Sequence, residues 1–162
     1  KQSYYENPPL LRYNWPNDIL FHFSDLQAQL ASLTFKKFEQ GLLKRRELAK
    51  TLIENLAPNI KNMLPNSILN TDDCAYYHFP FFADNNLEEH QRYFLNNGID
   101  TVGYALQINS DEKVFIQFQR NLPNARKIKK STLFLPIHDD YSKNDMISMA
   151  TTINAYFHNF HN

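Results

Sequence analysis

The chain has 162 residues, enough for one ordinary domain with a real core, and at 43% apolar and 14% aromatic it does not have a disordered composition. Seventeen Lys and Arg balance seventeen Asp and Glu, so the basic excess of a general nucleic-acid binder is missing. One cysteine, Cys74, excludes an intrachain disulfide and fits a reducing compartment, while no apolar run of about 18 residues exists to span a membrane.

Residues 1–23 read as an extended arm. Pro8, Pro9 and Pro16 punctuate it, and Tyr4, Tyr5, Leu10, Leu11, Tyr13, Trp15, Leu20 and Phe21 give it much apolar surface with little charge. Such an arm must pack on this domain, on a second copy or on a missing domain. The opening KQSYYENPPLLRYNW lacks the charged start and apolar block of a signal peptide. The chain does not begin with Met, and the expectation is a piece of a longer protein.

From Phe23 to Leu56 the pattern predicts one long helix. Ser24 and Gln27 match the S-x-x-E/Q capping box. Leu26, Leu30, Leu33, Phe38, Leu42, Ala49, Leu52 and Leu56 recur at helical steps, as one apolar stripe would. Pro58 stops the helix, since the residue before a proline avoids helical geometry. At roughly 50 Å the helix either crosses its domain or projects from it. Gly41, which costs about 1 kcal/mol mid-helix against Ala, is a point where it can bend. The opposite face carries Lys36, Lys37, Glu39, Lys44, Arg45, Arg46, Glu47 and Lys50. This is a solvated helix face or, on a sharper reading, a patch for phosphates or acids.

Asn59–Asp73 reads as a polar connection, and Cys74–Phe82 as a buried strand in which Pro80 demands an edge or a bulge. Asn85 or Asn86 caps a helix to about Asn96, with Leu87, Gln91, Phe94 and Leu95 inward, and Gly98 stands at its C′ position. Ile99–Leu106 is the next strand, and Val114–Phe118 a further short one. Asn124–Ser131 is a short basic helix, Leu133–Ile137 a third strand. Ser142, with Asp145 three positions on, caps a last helix whose face is Met146, Ala150, Ile153 and Phe157. The order predicts an α+β fold over residues 24–162. It is a two-layer sandwich of a small, mainly antiparallel sheet with helices on one face, preceded by one long helix.

Few residues stand out as chemistry. His78 lies in an aromatic strand and reads as a packed core histidine rather than a ligand. His138, Asp139 and Asp140 suggest a metal site only weakly, because zinc wants three or four converging ligands; a polar loop explains them better. Cys74 has no basic neighbour in sequence to activate a thiolate. Tyr77, Phe79 and Phe81 fit a core sheet face better than an RNA-stacking one. His158 and His161 read as a frayed tail.

The stretch YNWPNDILFHFSDLQAQLASLTFKKFEQGLLKRRELAKTLIENLAP resembles the segment that follows the large domain in DegT/DnrJ/StrS-type, pyridoxal-phosphate-dependent nucleotide-sugar aminotransferases. The likeness rests on Ser24, Asp25, Leu26, Gln27, Ala28, Arg45 and Arg46. CAYYHFPFFADNNLEEHQRYFLNNGIDTVGY is similar to that family's next strand, helix and strand, and ARKIKKSTLFLPIHDDYSKNDMISMATTINAYF to its ending. The resemblance covers nearly the whole chain but only the family's C-terminal small domain, of the aspartate-aminotransferase-like kind. It implies that residues 1–23 are a remnant of the large-domain junction, with Tyr13, Trp15, Leu20 and Phe21 at an interface. It also implies a cytoplasmic parent that moves an amino group from glutamate to a keto-sugar nucleotide. The cofactor's Schiff-base lysine belongs upstream, and Lys1 is the one lysine before the long helix. Pyridoxal phosphate is therefore expected in the parent, while this chain holds no cofactor, no catalytic residue and no metal. Where the family often carries a His-Tyr pair near the substrate, this chain has Gly103 and Tyr104, which leaves Tyr104 as the substrate-binding candidate. The expected partners are a second copy or a missing large domain, with neither nucleic acid nor membrane. The competing expectation is a non-enzymatic binding or dimerisation module that keeps the fold.

Overall fold

The computed structural model describes residues 24–82, 87–103 and 107–160. The chain divides into two units between Phe38 and Glu39. The first helix, α1 (Asp25–Asn55), spans the division. It opens as the sequence predicts: the Ser24 N–H donates to Gln27 Oε1 at 2.9 Å, and the Gln27 N–H donates back to Ser24 Oγ at 3.3 Å. In the first unit its apolar side chains are uncovered, from Phe38 at 54% exposed to Phe35 at 76%. The predicted stripe is therefore buried only in part. Leu26, Leu30 and Leu33 face solvent, whereas Leu48, Ala49, Leu52 and Leu56 are core. Periodicity sets which side chains share a face; burial requires a second surface against that face.

In the second unit, α1 passes through Gly41 and stops at Asn55. A Cβ on Gly41 would lie 3.4 Å from Asp139 Oδ2, so the glycine stands where another loop crosses the helix. Pro58 starts a short helix, α2 (Pro58–Lys61), where its missing N–H is no loss. The end of α1 is closed from elsewhere in the chain. Asn154 donates its Nδ2 to the Asn55 carbonyl at 2.9 Å and accepts from the Ala57 N–H at 2.8 Å. A second short helix, α3 (Asn66–Leu69), lies in the predicted connection.

The sheet is antiparallel, β1 (Phe79–Phe82) against β2 (Thr132–Leu135), with Phe79 opposite Leu135 and Phe81 opposite Leu133. These four side chains are fully buried and form the inner face. β1 is shorter than the predicted Cys74–Phe82 strand. Tyr76, at φ 45°, takes a left-handed turn that breaks the alternation, and its hydroxyl donates to the Ile68 carbonyl at 2.6 Å. Pro80 is accommodated by register. It faces Phe134, whose N–H donates to and whose carbonyl accepts from Val102 on the other side of β2. The missing proline donor thus falls at a non-hydrogen-bonded pair. Val102 makes a single bridge where a strand over Ile99–Leu106 was expected, and residues 104–106 lie outside the described ones. The expected strand Val114–Phe118 is instead a pair of 3₁₀ turns over Lys113–Phe118. Local bonds such as Phe115 N–H to the Glu112 carbonyl, 2.9 Å, occupy its backbone in place of a ladder.

Helix α4 (Leu87–Asn96) turns Leu87, His90 and Phe94 inward; Leu95, expected inward, is 62% exposed. Its cap at Asn85 or Asn86 lies outside the described residues. Gly98, at φ 79°, closes it as predicted. The Ile99 N–H reaches back to the Phe94 carbonyl at 2.8 Å and the Gly98 N–H to that of Leu95 at 3.0 Å, with Phe94 and Ile99 both buried. Helix α5 (Pro123–Ser131) leads into β2, and α6 (Lys143–Phe160) closes the unit. The Ser142 N–H and O–H both donate to Asp145 Oδ2 at 2.7 Å, the predicted cap. Met146, Ala150, Ile153 and Phe157 are buried as expected, joined by Met149 and Tyr156. Rings of Tyr93, Phe94, Tyr156 and Phe157 fasten α4 to α6, the Phe157 ring also meeting Phe81 at 5.5 Å. The result is the expected α+β domain: a small antiparallel sheet with its inner face on helices, and one long helix before it.

Candidate functional site

Tyr104 lies outside the described residues, as do the interface residues Tyr13, Trp15, Leu20 and Phe21. The strand segment leading to Tyr104 is described. Val102 is fixed on the open side of β2 by its two bonds to Phe134, 3.1 and 2.9 Å. Beside it, a Cβ built on Gly103 would meet Cδ, Oε1 and Nε2 of Gln91 at 2.8 Å. The Gln91 carboxamide therefore covers the space that any side chain at 103 would need, and its Nε2 donates to the Thr101 carbonyl at 3.3 Å. Thr101 Oγ1 is buried with no hydrogen-bond partner in the structure. A carboxamide and a spare hydroxyl thus lie beside the backbone of residues 101–103. Sequence reasoning placed Gln91 inward but not in this role. The available signal was Gly103 itself, since an isolated glycine in a strand often marks a close approach.

Three neighbouring cations of α1 are bonded to the domain's own backbone. Arg45 Nε donates to the Ala75 carbonyl at 3.2 Å, Arg46 Nε to that of Cys74 at 2.8 Å, and Lys44 Nζ to that of Asp139 at 2.5 Å. They pin the loops that enter β1 and leave β2. Lys143 pairs with Glu47 at 2.6 Å, and this hydrogen bond holds the Glu47 carboxyl below its ordinary range. Lys44, Arg45, Arg46 and Glu47 thus hold loops and α6, while Lys36, Lys37 and Lys50 are exposed, as a solvated face would have them.

The remaining candidates stay dispersed. His78 is exposed, against the core reading; next to the inward-facing Phe79 it falls on the other side of the chain and rests on the Phe134 ring at 5.5 Å. The buried histidine is His90, beside the Tyr156 hydroxyl. His138 Nδ1 stands 3.5 Å from Asp140 in an exposed loop after β2. No group of three or more His, Cys, Asp or Glu converges among the described residues. Cys74 is half-buried and its thiol donates to the Ser67 carbonyl at 3.1 Å. Phe79 and Phe81 are core as expected, but Tyr77 is 78% exposed. A small polar cleft of about 140 Å³ lies between the end of α4 and α6, edged by Asn97, Tyr141, Asp145, Ser148 and Thr152. Burial, then the charges of Asp145 and Asp100, push the Tyr141 phenol up. No helix of the described residues is long and apolar enough to cross a membrane.

With that arrangement in view, the likeness to known proteins has structural content. The DegT/DnrJ/EryC1/StrS aminotransferase family matches residues 19–154, and the chain belongs to that family. Among solved structures it is similar to an aminotransferase from Psychrobacter cryohalolentis. The TM-score is 0.69 at 18% identity, over 84% of this chain and 39% of that one. It is also similar to the aminotransferase TlmJ from Streptoalloteichus hindustanus, with TM-score 0.67 at 19% identity, over 85% and 37%. The sugar aminotransferase CalS13 from Micromonospora echinospora gives 0.62 at 18% identity, over 75% and 32%. At these identities the likeness shows the fold. The chain spans 32–39% of the length of those structures. No curated protein sequence matches it.

The cofactor that the resemblance implies needs a lysine for its aldehyde and donors for its phosphate. No lysine among the described residues is buried. Lys44 and Lys61 are bonded to backbone carbonyls and Lys143 to a carboxylate. The described residues do not assemble a site for pyridoxal phosphate.

Proposed function

We propose that this chain is the C-terminal small-domain part of a sugar-aminotransferase-like protein, itself non-catalytic. Its parent would be cytoplasmic, would use pyridoxal phosphate, and would move an amino group from glutamate to a keto-sugar nucleotide. The chain covers the substrate side of the site, with Tyr104 as the contact, and takes part in a homodimer through Tyr13, Trp15, Leu20 and Phe21. The observation that carries the reading is the family match over residues 19–154 in a chain that covers only 32–39% of the length of its structural neighbours. The reading frame upstream of Lys1 tests it. A few hundred codons with a Ser/His-x-x-Lys stretch near a glycine-rich loop are expected, and a start codon close to Lys1 overturns it. In the isolated chain, titrated pyridoxal phosphate should give no borohydride-reducible aldimine band.

A second reading is a non-enzymatic module that retains the fold. The lysines that are exposed or tied to local acceptors favour it. A start codon just upstream, with a chain that still dimerises in sedimentation equilibrium, is its expected result.

A further inference from the structure

Zero net charge conceals a segregation. Lys113, Arg120, Arg126, Lys127, Lys129 and Lys130 fall in one stretch of eighteen residues without an acid, leaving eleven cations to all seventeen acids elsewhere. The same stretch leaves large apolar side chains uncovered: Phe115 is 43% exposed, Ile116 68%, Phe118 58% and Ile128 46%. One ion pair holds the two halves together. Arg126 on α5 makes a two-pronged bond to Asp111 at 2.5 and 2.7 Å, just before the turn that carries Phe115 and Phe118. The apolar turn is thereby tied beside the basic helix.

We propose that this face, residues 113–130, docks on an anionic lipid surface. Interleaved cations and bare apolar side chains suit the boundary between headgroups and acyl chains, where the first meet phosphates and the second leave water. The chemistry is less suited to nucleic acid. Four of the six cations are lysines, which lack the fork that reads base edges, and the Arg126 fork is occupied by Asp111. Ile116 and Ile128 cannot stack on bases as aromatic platforms do. The face lies on a membrane and does not cross it, which agrees with no helix of the described residues being long and apolar enough to span one. The inference departs from the expectation of no membrane partner and does not rest on the aminotransferase reading.

Co-sedimentation of the full chain with vesicles tests it. Binding to phosphatidylcholine vesicles containing phosphatidylglycerol should be roughly tenfold or more tighter than to phosphatidylcholine alone, and should fall at high salt. The pair Lys127→Glu and Lys130→Glu should weaken it about 25-fold, taking roughly fivefold per cation. The pair Ile116→Ser and Phe118→Ser should weaken it as well. All four side chains are exposed, so unchanged thermal melting separates lost binding from lost fold. Charge reversal at Lys36 and Lys37, outside the face, should leave binding unchanged. Equal binding to both vesicle types, equal loss from the Lys36 and Lys37 reversal, or tighter binding to a single-stranded RNA oligonucleotide than to the anionic vesicles overturns the proposal.

Discussion

The two ends of α1 carry the same kind of sequence and meet different fates. Leu26, Leu30 and Leu33 recur at helical steps of four and three, Leu48, Leu52 and Leu56 at four and four, yet the first three are 56–67% exposed and the last three at most 3%. In the second unit the stripe meets the inner face of the sheet and the apolar side of α6. In the first unit the described residues are the helix alone. Helical periodicity is a statement about the chain's own geometry; burial is a statement about what else is there.

The sharpest way to break this comparison is to truncate one leucine from each end. Leu52→Ala should cost about 2–5 kcal/mol, the range for a core leucine that leaves a cavity. Leu30→Ala should stay within about 0.5 kcal/mol, as surface changes do. Chemical denaturation followed by circular dichroism checks both. Equal losses would mean that the amino-terminal half of the helix is buried in solution.

The glycines give a smaller contrast. Gly98→Ala forces a side chain into the left-handed region at φ 79°, at a cost of about 1–2 kcal/mol. Gly41→Ala should instead stabilise by up to about 1 kcal/mol. It restores helix propensity, and its Cβ would approach the Asp139 carboxylate no closer than 3.4 Å. Thermal melting of both variants decides; a loss at Gly41 would mean that the loop after β2 cannot give way.

What the sequence made legible follows the range of the physics. Both capping boxes, the Gly98 stop, the end of α1 before Pro58 and the inward face of α6 were all readable, because each is set by residues within one or two turns. The failures came from local turns that interrupt a strand pattern or from partners far along the chain. Val114–Phe118 has strand-forming residues, but 3₁₀ turns occupy its backbone. His78 was read as core from its aromatic neighbours, but the strand starts only at Phe79 and His78 is exposed. The Gln91 carboxamide over Gly103 joins α4 to the strand segment after it, and only the folded chain brings them together. Arg45 and Arg46 read as part of a solvated helix face or a phosphate patch; their bonding partners are carbonyls about thirty residues away.

The finest test of the comparison uses the two capping boxes, which are alike in form and differ in chemistry. Ser142 caps α6, which packs in the core, so Ser142→Ala should cost about 1 kcal/mol. Ser24→Ala removes the same hydroxyl from an exposed helix start and should fray it without shifting the main unfolding transition. Acid separates them further. Hydrogen bonds from the Ser142 hydroxyl and N–H hold the Asp145 carboxyl below its ordinary range. A carboxyl whose pKa is lower folded than unfolded stabilises above its unfolded value, and that stabilisation fades as pH falls through the folded one. The penalty of Ser142→Ala should therefore be full near neutral pH and shrink as pH falls below the ordinary Asp value of about 4 and through the lower folded value of Asp145. The partner of Ser24 is the amide of Gln27, which does not titrate, so the fraying from Ser24→Ala should be the same at both pH values. Denaturation of parent and Ser142→Ala, together with the helical signal of Ser24→Ala, at neutral and acid pH would show the difference. A Ser142→Ala penalty that holds constant into acid would mean that the Asp145 carboxylate contributes nothing to its cap.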